Sequence, residues 1–176
     1  GWSPKNSNMK YAGEVTLIQA LAQSINTIVV RLAQVVGITN VKTVAQKMGI
    51  STPYMPDDLS LALGTASVTP LEMAVAYSCF ANNGEQVKPY GILEITDSNG
   101  KVLEQNGPEL IRAITPETAV TIRSMLTQAV NWGTGTRARV KDYQTFGKTG
   151  TTNDWTDAWF AGGVPGLVTV VYIGND

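Results

Sequence analysis

The chain has 176 residues, 43% hydrophobic and 15% charged, with a formal net charge of -1. Its length suits one domain or slightly more, its composition excludes a disordered chain, and its charge excludes an electrostatic footprint for nucleic acid or an anionic membrane. It contains no histidine, which removes Ser-His-Asp triads, Cys-His pairs and His-based zinc sites and leaves Lys, Asp, Glu or Tyr as any general base.

The first periodic segment is "TLIQALAQSINTIVVRLAQVVG". Thr16 and Gln19 form an S/T-x-x-E/Q capping box, and Gly37 stands where a helix-terminating glycine belongs. Leu17, Leu21, Ile25, Ile28, Leu32 and Val35 recur at threes and fours and make one apolar stripe. Ser24 and Asn26 interrupt it with side chains that compete for backbone hydrogen bonds, so the spacing predicts a break near 23–26. A short helix at about 40–48 is stopped by Gly49. The "DDLS" stretch reads as a solvated acidic loop.

"VTPLEMAVAYSCFANNG" predicts a helix with Thr69 as N-cap, Pro70 at its first position, Glu72 at its third and an Asn83-Gly84 stop. Cys79, the single cysteine, sits on that helix as a buried structural thiol and permits no internal disulfide. "GILEITDSNGKVLEQ" alternates on both sides of Asp97-Ser98-Asn99-Gly100 and reads as a hairpin. Thr115-Pro116-Glu117-Thr118 opens a helix to about Val130, ended by Gly133-Thr134-Gly135. Then the period changes to two. "YQTFGKTGTT", "DAWFAGGV" and "LVTVVYIG" read as strands divided by Asn153-Asp154 and Pro165-Gly166 turns, and such short connections demand antiparallel neighbours. The fold class is therefore α+β, a helical region followed by a C-terminal antiparallel sheet. No run of roughly 20 apolar residues is present, and no signal peptide is visible.

"TFGKTGTT" admits two chemistries. A phosphate-binding loop G-x-x-x-x-G-K-[ST] would need glycine at position 142 and a helix after Lys148. Position 142 is Asp142, and a turn follows, so the nucleotide reading fails. On a strand, Lys148 points to one face while Thr149 and Thr151 point to the other. Gly150 between them lets a ligand backbone come close, and the hydroxyls suit the carboxylate of a peptide added along a sheet edge.

Ser24-Ile25-Asn26 supplies S-x-N on a helical break and Lys148-Thr149-Gly150 supplies K-T-G on a late strand, two of three motifs that occur together in serine β-lactamases and penicillin-binding proteins. The stretches "SPKN…YAGEVTLIQALAQSIN", "LSLALGTASVTPLEMAVAYSCFANNG" and "GKTGTTNDWTDAWFAGGVPGLVTVVYIGND" resemble the transpeptidase domain of bifunctional (class A) penicillin-binding proteins. Ile25, where β-lactamases carry Asp, suits an S-x-N penicillin-binding protein. The resemblance implies the penicillin-binding/β-lactamase-like transpeptidase fold and crosslinking of peptidoglycan stem peptides, at their D-Ala-D-Ala end, through an acyl-serine that β-lactams trap. It implies that Ser24 relays a proton to the leaving amine, Asn26 binds the substrate amide and Lys148 holds positive charge near Ser24. Thr149 and Thr151 would bind the terminal carboxylate beside Gly150, with the Thr151 N–H as one oxyanion donor.

The nucleophile of such a domain lies on an S-x-x-K helix several dozen residues before S-x-N, and only 23 residues precede Ser24. Ser7-Asn8-Met9-Lys10 falls in a polar lead-in and Ser98-Asn99-Gly100-Lys101 in a hairpin turn, and neither starts a helix. The chain, which opens Gly-Trp-Ser without Met, is therefore expected to be residues 1–176 of a partial transpeptidase domain, without its nucleophile and inactive alone. The parent is expected to act outside the cytoplasmic membrane, anchored there by a segment preceding this one. No metal, other cofactor or nucleic acid is expected, and self-association through surface left open by truncation is. Trp132, Trp155 and Trp159 read as packing or rim residues. The rival readings are a non-catalytic peptide- or partner-binding module using the same edge strand, and a D,D-carboxypeptidase or β-lactamase-type hydrolase.

Overall fold

A computed structural model describes residues 3–6, 9–11, 13–152 and 156–174; Ser7, the Asn153-Asp154 turn and Trp155 lie outside the described residues. The long stripe folds as two helices, Leu17–Ala22 (α1) and Asn26–Val36 (α2), with the expected break between them. The Thr16–Gln19 capping box closes the start of α1. Gly37, at φ 88°, ends α2 and turns the chain by 96° into Ile38–Lys47 (α3), which begins two residues before the glycine-based expectation. Pro70–Ala81 (α4) starts with the full Thr69–Glu72 box and Pro70 in its first turn, and Pro116–Asn131 (α5) starts behind Thr115.

The sheet elements go beyond the sequence reading. Glu94–Thr96 (β2) and Val102–Gln105 (β3) form the expected hairpin. It is carried on a ribbon of Glu85–Lys88 (β1) and Glu109–Arg112 (β4), strands of four residues each, too short to leave a periodic signature. Phe146–Thr151 (β5), Asp157–Val164 (β6) and Leu167–Gly174 (β7) form the C-terminal antiparallel sheet in the order β5-β6-β7. Residues 143–145 stay outside β5. The "DDLS" acids are engaged: Asp57 pairs with Lys42, and Asp58 caps a 3₁₀ helix at Leu59–Leu63.

Helix α5 lies against β5 and α4 against β6 and β7. Phe146 on β5, Leu126, Ala129 and Val130 on α5 and Cys79 on α4 are buried, and burial pushes the Cys79 thiol up to about 11. Gly147 and Gly162 are register partners, and a methyl group on Gly162 would come within 2.2 Å of the Phe146 carbonyl oxygen. Leu167 and Ile173 on β7, Val35 on α2 and Leu17 on α1 are exposed. No single described helix is long and apolar enough to cross a membrane.

Two stability predictions follow from these contacts. A Cβ at Gly133 would meet the Ala22 carbonyl oxygen at 2.1 Å and the Ala129 Cα at 2.9 Å. Gly133→Ala should cost about 1–3 kcal/mol in urea unfolding, whereas Gly107→Ala, with open space around it, should stay within about 0.5 kcal/mol of the parent. The Glu72 carboxylate accepts from Thr69 N–H and hydroxyl and from Ser51 N–H and hydroxyl. The Thr69 backbone bond leads in holding its pKa down at about 2, against 4.5 ordinarily. A depressed carboxylate stabilises fully above its ordinary pKa and progressively less as pH falls towards the folded value. Glu72→Gln should cost about 1 kcal/mol at pH 7, and the difference from the parent should shrink as unfolding is repeated from pH 5 down to 2.

Candidate active site

The break after α1 is a left-handed helix stop built on serine. Ser24 N–H donates to Leu21 O at 3.2 Å and Ile25 N–H to Ala20 O at 2.9 Å, the paired 5→2 and 6→1 bonds of a Schellman turn. Ser24 occupies the position usually given to glycine, at φ +56°. An L-residue there costs about 1–2 kcal/mol relative to a relaxed conformation. Ile25 buries its side chain behind the turn, which leaves Ser24 as the half-buried tip.

Across the groove, Lys148 Nζ donates to Ser24 Oγ at 2.9 Å and to the carbonyl oxygen of Thr149 at 2.9 Å. The two side chains are 124 residues apart in sequence. Lys148 makes no ion pair with a described residue, and burial pushes its ammonium down to about 8 from 10.5. A desolvated cation without a counter-ion favours an anionic ligand.

The loop leaving α5 forms the third wall. Thr134 N–H donates to Ala22 O at 3.0 Å, so this loop is bonded to the last turn of α1. Its hydroxyl lies 2.6 Å from that of Thr149. The closeness of Gly133 to Ala22 is what permits both contacts. Reading Gly133-Thr134-Gly135 only as a helix stop missed this role; two glycines around a hydroxyl residue were the available signal of close backbone approach.

Strand β5 is an edge of its sheet among the described residues. Thr152 N–H points into the sheet, towards Asp157 O. By alternation, the backbone groups of Thr149 and Thr151 point to the open edge, on the side where Lys148 reaches Thr149 O. Thr151 and Gly150 are exposed there. Gly150 also serves its own sheet, since a Cβ would sit 3.3 Å from Cβ of Trp159.

Asn26 is the first residue of α2, and its Nδ2 donates to Lys5 O at 2.9 Å. The geometry therefore brings Ser24, Lys148, Thr149 and Thr134 into direct contact, places Thr151 along the same edge, and ties Asn26 to the lead-in. Ser98 lies in the hairpin turn, as the spacing predicts. Trp132 donates to Gln128 at the end of α5, and Trp159 stacks on Tyr172. A hollow at Ser51, Tyr54, Thr69 and Glu72 lies elsewhere, and its acid is taken up by the hydrogen bonds at the start of α4.

Comparison with known proteins bears on the family and the fold. The family model described as the penicillin-binding protein transpeptidase domain matches residues 1–174. Penicillin-binding protein 1A of Aquifex aeolicus is 48% identical over 178 residues, covering 99% of this chain and 24% of its own. The chain thus spans about a quarter of that relative. The crystal structure of penicillin-binding protein 1A from Haemophilus influenzae superposes with a TM-score of 0.92 at 35% identity, over 99% of this chain and 32% of that one. PonA1 of Mycobacterium tuberculosis, solved in complex with penicillin V, superposes at 0.87 with 24% identity over 98% of this chain and 50% of its own, a likeness of fold. With its matched family model and its fold in agreement, the chain belongs to the penicillin-binding protein transpeptidase family.

Proposed function

We propose that this chain forms one half of a peptidoglycan D,D-transpeptidase centre, completed by an acylatable serine on an S-x-x-K helix outside residues 1–176. The observation that carries this reading is the Lys148 Nζ–Ser24 Oγ contact of 2.9 Å beside an open strand edge. The stem peptide lies along β5 as an added strand, its terminal carboxylate at the Thr149 and Thr151 hydroxyls and near the Lys148 charge. The completing serine gives its hydroxyl proton to the lysine of its S-x-x-K helix as its oxygen bonds to the carbonyl carbon of the penultimate D-alanine. Collapse of the tetrahedral intermediate breaks the C–N bond, and Ser24 passes a proton to the departing amine. The amine of a second stem then attacks the acyl-serine, its nitrogen bonding to the acyl carbon as the C–O bond breaks, and its proton returns to the released serine oxygen, making the crosslink. Thr151 N–H supplies one oxyanion donor and the serine's own N–H the other. Asn26 presents its side-chain amide to the substrate.

A β-lactam enters the same path and stops at the acyl stage. Action at the outer face of the cytoplasmic membrane belongs to this reading and is supported by the likeness to penicillin-binding protein 1A. A passive peptide-binding module would use β5 equally well, but it gives no reason for a strained Ser24 or a desolvated Lys148.

Incubated with a fluorescent penicillin, this chain alone should acquire no covalent label, and a labelled Ser98 would overturn the assignment. Joined to a serine-bearing helix in the longer protein, it should label, and Ser24→Ala should slow acylation about 10²- to 10⁴-fold.

The lysine gives a pH signature. A cation whose pKa is lower folded than unfolded leaves the folded state with fewer protons between the two values, so stability rises with pH over that window. The Lys148 side chain should titrate by NMR near 8. Stability should climb from about pH 8 to about 10.5, a slope that Lys148→Met removes. Acylation by the longer protein should decline as pH passes the lysine's titration.

A further inference from the structure

Helix α2 lacks a cap of its own. The residue before it is Ile25, which has no side-chain hydrogen bond to offer. The missing cap comes from the lead-in, 21 residues away. Asn6 Oδ1 accepts from Thr27 N–H at 3.1 Å and from Thr27 Oγ1 at 3.2 Å, while Asn6 Nδ2 donates to Lys10 O at 2.7 Å. Asn6 is 7% exposed. One residue earlier, Lys5 O takes the Nδ2 hydrogen bond of Asn26. Two consecutive residues of the lead-in thus close on two consecutive residues at the start of α2.

We propose that Asn6 is a positioning residue for Asn26: it fixes the first turn of α2 and, through Lys5 O, the orientation of the Asn26 side-chain amide. The chemistry requires asparagine. Its side chain offers an acceptor for the helix N–H and a donor for the Lys10 carbonyl at once, which neither aspartate nor leucine does. With one Nδ2 hydrogen held by Lys5, Asn26 keeps its Oδ1 and second N–H for a ligand in a defined direction. The same turn adjoins the left-handed Ser24, so fraying of α2 from its start would loosen Ser24 too. The catalytic consequence rests on the function proposed above, whereas the clasp itself does not.

Two measurements decide it. In this chain, hydrogen exchange at the Thr27 amide should be about fivefold or more faster in Asn6→Leu and much less affected in Asn6→Asp, which keeps the acceptor. The Asn26 side-chain amide resonances should shift in both variants. Unchanged Thr27 exchange in Asn6→Leu would overturn the clasp. In the longer protein carrying the segment, Asn6→Leu should slow acylation by fluorescent penicillin about 10- to 100-fold and should slow it no further once Asn26→Ala is present. An equal loss in both backgrounds, or no loss, would overturn the positioning role. Where Asn6→Leu fails to fold, Asn6→Asp carries the same cycle with a smaller loss. If the parent protein takes up no penicillin, the functional reading falls, and Thr27 exchange with the Asn26 amide shift still decides the clasp.

Discussion

A half-buried ammonium held against a serine hydroxyl is the constraint around which the molecule is arranged. Lys148 gives up hydration without a carboxylate among the described residues to compensate it, and donates to Ser24 Oγ and the Thr149 carbonyl. Such an arrangement persists only if the surrounding structure over-determines it. Both partners are accordingly held by rigid elements. Strand β5 is fixed by β6 on one side and by α5 packed against it. Ser24 is fixed by the turn closed between Ala20 and Ile25, with the Ile25 side chain buried behind it.

The loop at 133–135 makes this pair a groove with walls that move together. Its backbone is bonded to Ala22 and its Thr134 hydroxyl to Thr149, so the end of α1 and the face of β5 share one intermediary. A shift of α5 would therefore act on both elements at once. Glycine at 133 is the condition for this, because any larger residue would push the loop off the α1 carbonyl.

Much of this was legible in the sequence because local signals and tertiary needs agreed. The boxes at Thr16 and Thr69 and the Pro70 and Pro116 starts each placed a helix end, and the period-two runs placed β5, β6 and β7. The break at 23–26 was legible from residue type, and its left-handed form was not, since nothing local marks a serine that takes a glycine's conformation. The β1–β4 ribbon escaped because its partners are separated by a whole hairpin. Thr134 and Asn6 escaped for a related reason. Their bonds reach 15 and 21 residues along the chain, beyond any periodic or capping signature.

The backbone also dictates which alcohol stands where. At Ser24 the chain runs through a region in which branching at Cβ is penalised most, so a threonine hydroxyl there would strain the turn further. On β5 the extended backbone favours branching, and the extra methyl stiffens χ1, aiming each oxygen in one direction. The primary alcohol thus falls at the turn, where an unbranched side chain keeps its freedom about χ1. The secondary alcohols fall on the rail, where a fixed oxygen is suited to holding a charge in place.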